Sequence, residues 1–312
     1  MRCEATKMRP SAKTETSLMP AQFLRGNLAA LFTAVVWALT YAATKSLYEH
    51  VSPIDVIVLR FSVALVCLTG IAIAAHEPLR IRSAGDALLL ALSGLFGFTL
   101  YFLLQNTALG YTQAANVAIL ASLVPIFNVL VMRAFFRSTP LTKQFFAGSA
   151  LAIAGSVCIT VSTVGLPQAS PFGDALTLAS CLVFPLYNVC VTKLADRGYG
   201  VLATTVWAFF FGLLFTLPAE FIAGPKFTLE TLMIPDVALG ILFLGIFASA
   251  ACYITWNYAV RLIGIAGASI WIYSEPLIAA AVSVLVLGES LPPLAIAGTA
   301  VIIMGLALSQ KK

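Results

Sequence analysis

Ten apolar runs of about twenty residues each, separated by short breaks, leave this chain almost no way to fold in water. A helix rises 1.5 Å per residue, so about 20 apolar residues cross the ~30 Å hydrocarbon core of a bilayer. The runs fall at 27–47, 53–75, 86–109, 113–135, 143–162, 173–193, 201–222, 236–259, 265–287 and 292–309. Lipid offers no water to peptide groups, so each run must close its own hydrogen bonds as a helix. The breaks carry turn chemistry, as at Ser52-Pro53, Ser138-Thr139-Pro140, Gly198-Tyr199-Gly200 and Pro292-Pro293. They are too short for a soluble domain. Charged residues make up 10% of the 312 residues, against about 25% in soluble domains. The expected fold class is an all-α membrane protein of ten transmembrane helices, preceded by a disordered basic cytoplasmic tail over residues 1–24 (Arg2, Lys7, Arg9, Lys13).

Charge orients the runs. With the N-terminus in the cytoplasm, fifteen basic residues fall inside, among them Arg80, Arg82, Arg133, Lys193, Arg197 and Arg261. Only Lys45 and Lys226 fall outside, and Arg60 lies within the second run. Asp55, Asp174, Glu220 and Asp236 are among the acidic residues outside. This asymmetry follows the positive-inside rule and puts both termini in the cytoplasm.

The two halves of the chain resemble each other. A shift of 151 residues lays Asn106 on Asn257, Ala108 on Ala259 and Pro125 on Pro276. One residue less lays Gly148 on Gly298 and Gly155 on Gly305. Earlier in each half, Gly26 matches Gly173 and Trp37 matches Phe184. The repeats are expected at 25–163 and 172–309. Five spans per repeat is an odd number, so the copies enter the membrane from opposite sides. Inverted repeats of this kind recur in secondary transporters, with the solute site at mid-membrane between the halves.

Here the chain resembles the EamA-type exporters of the drug/metabolite transporter superfamily. The likeness rests on Gly26-Asn27 and Trp37 in helix 1 and Leu59-Arg60-Phe61 in helix 2. In the second half it rests on Tyr258-Ala259, Ser274-Glu275-Pro276, Leu287-Gly288-Glu289, Gly298 and Gly305. It implies ten helices in two inverted repeats around a central cavity, lined by helices 1, 3, 4, 6, 8 and 9. It leaves the solute open among amino acids, other metabolites and drugs. It also implies a bacterial inner membrane.

Polar and aromatic residues concentrate in those same spans. They are Trp37, Tyr41, Tyr101, Gln105, Asn116, Tyr187, Asn188, Tyr253, Trp256, Asn257, Trp271, Ser274 and Glu275. An unpaired amide costs several kcal/mol in hydrocarbon, so these faces are expected to look inward, as cavity lining or as packing. Glu275 sits near the middle of its span, where a lone carboxylate costs about 2.5–3.5 kcal/mol or more. It could bind a solute ammonium, couple transport to protons, or serve structure by pairing with Arg60 or capping backbone freed by Pro276. Arg60 could hold a carboxylate or play a structural part. Lys45 has Glu49 one turn on, the spacing of a surface ion pair. Pro125 and Pro276 are expected to kink helices 4 and 9. Gly148, Gly155, Gly298 and Gly305 form small-residue seams in helices 5 and 10, suited to internal packing more than to dimerisation. Tyr199 and Trp207 are expected in an interfacial belt.

The two histidines lie in loops, and no HExxH, GxSxG or phosphate-binding loop is present. That argues against a hydrolase or ATP-driven pump and calls for no cofactor or metal. The expectation is a monomeric secondary transporter, lying in lipid and binding no nucleic acid. It would export amino acids or similar small amphipathic metabolites, with protons as the candidate coupling ion. A drug exporter, a channel and an intramembrane enzyme are the alternatives.

Overall fold

The computed structural model describes residues 20–109, 111, 117, 120–137, 142–164, 170–275, 277–278, 281 and 292–309. Asn116 and Pro276, and the side chains of Tyr41 and Lys45, lie outside the described residues. Every regular element among the described residues is helical.

Helix α1 spans Pro20–Leu47, so residues 20–24 of the expected tail form its first turn. α2 spans Pro53–Ala74 and opens on a capping box: Ser52 Oγ accepts from the Asp55 N–H, and Asp55 accepts from the Ser52 N–H. This satisfies two of the four N–H groups that a helix start leaves free. α3 begins as Ala84–Gly94, passes through a π-helical stretch at Leu95–Leu100 and ends as Tyr101–Leu109. α4 spans Val124–Phe135, α5 Lys143–Val164, α6 Pro171–Asp196 and α7 Val201–Ala223. A short turn at Leu229–Met233 leads into α8, which starts as Pro235–Leu242, crosses a second π stretch at Phe243–Ala251 and runs on to 263. Gly264, at φ 73°, ends it. Only glycine enters that left-handed region without steric cost. α9 covers 265–269 and tightens into a 3-10 turn at Ile270–Ser274. α10 spans Pro293–Ser309.

Seven helical stretches are long and apolar enough to cross a membrane, and α4 and α10 are shorter apolar helices. One of the seven is Pro235–Ser274, whose 40 residues would measure about 60 Å if straight, twice the bilayer core. The break at Gly264 divides it. The molecule is inside-out relative to a water-soluble protein. Phe221, Ile222 and Val66 are 86%, 85% and 75% exposed, whereas Asn128, Asn188 and Asn257 are fully buried. The chain is a multi-pass membrane protein.

Packing puts α1 on α8 and α9, α2 on α7 and α8, α3 on α6 and α7, α4 on α6, and α5 on α10. The α5–α10 contact is made by the glycine seams. A Cβ on Gly155 would lie 2.6 Å from the Gly298 carbonyl oxygen, and one on Gly305 would lie 2.6 Å from that of Gly148.

Two expectations are corrected. Pro125 does not kink a continuous helix. A turn at 122–123 interrupts the span, and Pro125 stands in the first turn of α4, where its missing N–H costs nothing. Tyr199 is not an interfacial belt residue. It is 3% exposed; its hydroxyl accepts from the Arg82 N–H at 3.0 Å and donates to Asp86 at 3.2 Å. Asp86 also pairs with Arg197 at 2.6 Å, and the Arg82 guanidinium bonds the carbonyls of Arg197 and Gly198. This clasp ties the start of α3 to the α6–α7 turn.

Candidate functional site

The two π stretches meet the largest aromatic cluster in the molecule's interior. A π turn misaligns one i→i−4 bond and so leaves carbonyls free for other donors. The Trp37 indole N–H of α1 donates to the carbonyl of Ala248 at 3.1 Å, inside the α8 stretch. The Tyr253 hydroxyl donates to the carbonyl of Gly97 at 3.4 Å, inside the α3 stretch. Gly97 leaves room for the Tyr187 ring, which any Cβ there would strike. Trp37 lies 5.4 Å from Trp256, 5.8 Å from Tyr253 and 6.4 Å from Phe184, ring centre to ring centre. Tyr101 lies 5.2 Å from Phe184. Tilted and edge-on pairs of this kind use the ring quadrupoles favourably.

A chain of polar side chains runs beside the rings. Trp256 Nε1 donates to Asn188 Oδ1 at 3.0 Å, Asn188 Nδ2 to Asn128 Oδ1 at 3.0 Å, and Asn128 Nδ2 to Ser269 Oγ at 2.9 Å. The Asn257 amide donates to the Tyr187 hydroxyl at 2.7 Å and to Thr205 Oγ1 at 3.1 Å. These bonds join α4, α6, α7, α8 and α9 through buried groups. Asn188→Leu would strip partners from both Trp256 and Asn128. The expected loss is about 1–3 kcal/mol of stability, read as a lower midpoint in thermal unfolding of the detergent-solubilised protein.

Of the residues predicted from sequence, Trp37, Tyr101, Tyr187, Asn188, Tyr253, Trp256 and Asn257 come together here. In this conformation they fill the centre by packing on one another. Gln105 adjoins the group, its amide donating to the Tyr101 hydroxyl at 3.1 Å. Trp271 lies apart from the polar chain, its indole N–H donating to Asn27 of α1 at 2.9 Å. Ser274 is spent on its own turn, donating to the Trp271 carbonyl. Asn128 also belongs to the group. Ser269, Thr205 and Phe184 do too and were not singled out from sequence, although Phe184 is the repeat mate of Trp37.

The two deep charges do not pair. The one ion pair among the described residues is Arg197–Asp86. Arg60, 5% exposed, donates from Nε to Ser249 Oγ at 3.0 Å and lies 4.7 Å over the Phe102 ring. Glu275 is half-buried, with no hydrogen-bond partner among the described residues. Tyr101 and Cys252 each lie within electrostatic reach of both charges. A cavity of about 350 Å³ opens beside Ser52, Ile57, Leu103, Asn106, Ala223 and Lys226. Ile57 is one turn before Arg60, and Leu103 follows Phe102.

Long apolar helices around a buried aromatic and polar centre, with two deep charges that do not pair with each other, define a membrane transporter. Residues 24–161 and 171–310 each match the EamA-like transporter family. The chain belongs to that family, and is a transporter of small-molecule solutes rather than an enzyme. It is 30% identical over 91% of its length to a protein of Streptantibioticus cattleyicolor named "Probable terminal-alkyne amino-acid exporter", covering 93% of that protein. It is 27% identical over 92% of its length to an "Uncharacterized transporter" of Archaeoglobus fulgidus, covering 97% of it. It is 26% identical over 90% of its length to a "Probable amino-acid metabolite efflux pump" of Salmonella typhimurium, covering 93% of it. A crystal structure superposes with a TM-score of 0.77 at 18% identity, over 93% of this chain and 96% of the other, a likeness of fold.

Proposed function

We propose that the chain is a secondary carrier that exports amino acids or similar small amphipathic metabolites by alternating access between two inverted five-helix halves, across a bacterial inner membrane with both termini inside. The observation that carries this reading is that Arg60 and Glu275 do not pair, although both lie within electrostatic reach of Tyr101. A zwitterion presents a carboxylate and an ammonium a few ångströms apart. A guanidinium and a carboxylate kept from each other answer both groups, and aromatic faces accept the apolar remainder. The names of two relatives agree with this solute class. Trp37, Trp256, Tyr187, Asn188, Tyr253 and Asn257 are then the walls that part to admit it, with Gln105 behind Tyr101. Trp271 and Ser274 stand at the inner approach, and Asn116, Tyr41 and Lys45 are retained on sequence grounds. The cavity beside Ile57 and Leu103 is the path toward the outer side.

The packing supports inverted halves. Exchanging helices 1–5 for 6–10 turns the α1–α8 contact into α6–α3, the α2–α8 contact into α7–α3, and the α4–α6 contact into α9–α1, all of which occur. The π stretch at 95–100 falls, after the shift of 151, within Phe243–Ala251. Gly94 packs against α7 where its mate Gly245 packs against α2. Asn106 reaches the Pro53 carbonyl at the start of α2, and its mate Asn257 reaches Thr205 near the start of α7. In the seam, Gly148 meets Gly305 and Gly155 meets Gly298. Repeat mates that meet antiparallel, with their contacts exchanged, are what a two-fold axis in the membrane plane requires.

Uptake of radiolabelled amino acids into proteoliposomes, across a panel of side chains, tests the solute class. Saturable uptake of at least one apolar or aromatic amino acid is expected. No uptake of any amino acid above protein-free vesicles would sink it.

A further inference from the structure

At the outer ends of α2 and α7 two acidic side chains meet. Asp55 is fully buried and already accepts two main-chain N–H groups, from Ser52 at 2.7 Å and from Lys226 at 3.3 Å. The second arises because α7 stops at Gly224, whose φ of 75° turns the chain back toward α2. The carboxyl of Glu220, 5% exposed, lies in hydrogen-bonding contact with that of Asp55. Neither Glu220 oxygen receives an N–H or O–H donor from elsewhere among the described residues. Arg60 lies more than a turn deeper on α2 and bonds Ser249 instead. Toward the outer ends of the elements packed around the pair, the other charged or titratable side chains among the described residues are Lys226, Tyr48, Glu49, His50, Glu230 and Asp236.

Two bare carboxylates in contact, out of water, repel strongly. One added proton turns the repulsion into an O–H···O⁻ bond, among the shorter and stronger kinds. Asp55 is the acceptor, because its two N–H donors favour the charged form. Glu220 is the acid, because no other donor among the described residues satisfies it. The cavity supplies a route for the proton, since its lining includes Ser52 and Lys226, the two residues bonded to Asp55.

We propose that Asp55 and Glu220 form a proton-binding site open to the outer side, which when protonated latches the outer ends of α2 and α7 together. The outer placement rests on the orientation proposed above; the site itself does not depend on the solute. Binding is a simple addition: the Glu220 carboxylate takes H⁺ from water, and the resulting acid donates to the Asp55 carboxylate. External acidity holds the outer end shut, and proton release lets the two helices separate.

The test uses the full-length protein in detergent, with no solute and no gradient, so its outcome is independent of what is transported. A proton held by the folded state and not by the unfolded one stabilises at low pH, and that stability is lost as pH rises. The apparent Tm of the wild type should fall by at least about 2 °C between about pH 5.5 and pH 8.5. In Glu220→Gln the amide donates to Asp55 at every pH, so the fall should shrink to less than half. The infrared pH-difference spectrum should contain a protonated-carboxyl C=O band in the wild type that Glu220→Gln removes. Asp55→Asn relieves the repulsion, so the band should then disappear at a lower pH. A Glu220→Gln variant with the wild-type pH dependence and band overturns the proposal, as does a band unmoved by Asp55→Asn. So does a wild-type Tm at the alkaline end that sodium raises above an equal concentration of choline, which would make the pair a cation site.

Discussion

Glu275→Gln should slow transport of the best amino acid substrate at least about tenfold in proteoliposomes, while the variant purifies as a folded monodisperse protein. The amide keeps the volume of the side chain and removes the charge. A hydrogen bond to a charged group contributes about 1.5–3 kcal/mol, or roughly 10–100-fold in an equilibrium constant. Glu275 makes no ion pair with Arg60, and no hydrogen bond among the described residues holds it. A carboxylate at mid-membrane must still be paired or wetted, and water or a solute ammonium would meet that need. A structural carboxylate gives the opposite result: Glu275→Gln would transport normally and lose stability instead. Rate and folded yield, measured on the same preparation, separate the two.

Gly155→Leu is expected to have the largest effect on folding. The α5–α10 seam brings the two backbones so close that a Cβ on Gly155 would sit 2.6 Å from the Gly298 carbonyl oxygen and 2.9 Å from the Ile302 nitrogen. Both are main-chain atoms on another helix, so neither can swing aside. Overpacking typically costs about 1–3 kcal/mol, and more when backbone must move. The expected outcome is a sharply reduced monodisperse peak on size-exclusion chromatography and a lower unfolding midpoint. Gly70→Leu is the control. A Cβ there meets open space, and leucine is the better helix former, so folded yield should hold or rise.

These two residues show what a sequence can and cannot tell. The seam was readable because close approach of helices in lipid calls for small residues at regular spacing. The end of α8 was readable too, since it falls in the gap left between the eighth and ninth apolar runs, but Gly264 itself was not singled out. The break before α4 was not. Pro125 lies in an uninterrupted apolar run, and hydropathy alone does not distinguish a proline that bends a helix from one that starts it. The aromatic and amide residues of the centre were recognised as inward-facing, because lipid penalises them elsewhere. Their partners were hidden. Asn188 of α6 meets Asn128, sixty residues earlier, and Trp256, sixty-eight later, and no periodicity within one helix records such pairings. The same holds for Glu220. Its place beside Asp55 depends on where Gly224 turns the chain, and in the sequence it is only one more acid on the outer side.

Counterflow tests the carrier reading most directly. Proteoliposomes loaded with a high concentration of unlabelled amino acid substrate are diluted into a trace of the labelled one, with no ion gradient. A carrier that exchanges its solute site between the two sides accumulates label transiently above the level of unloaded vesicles, and the overshoot decays as the internal pool runs down. That transient, with an initial rate that saturates, is what alternating access between two inverted halves predicts. Label that only equilibrates, at a rate proportional to concentration and indifferent to the loaded substrate, would make the protein a channel and contradict the account.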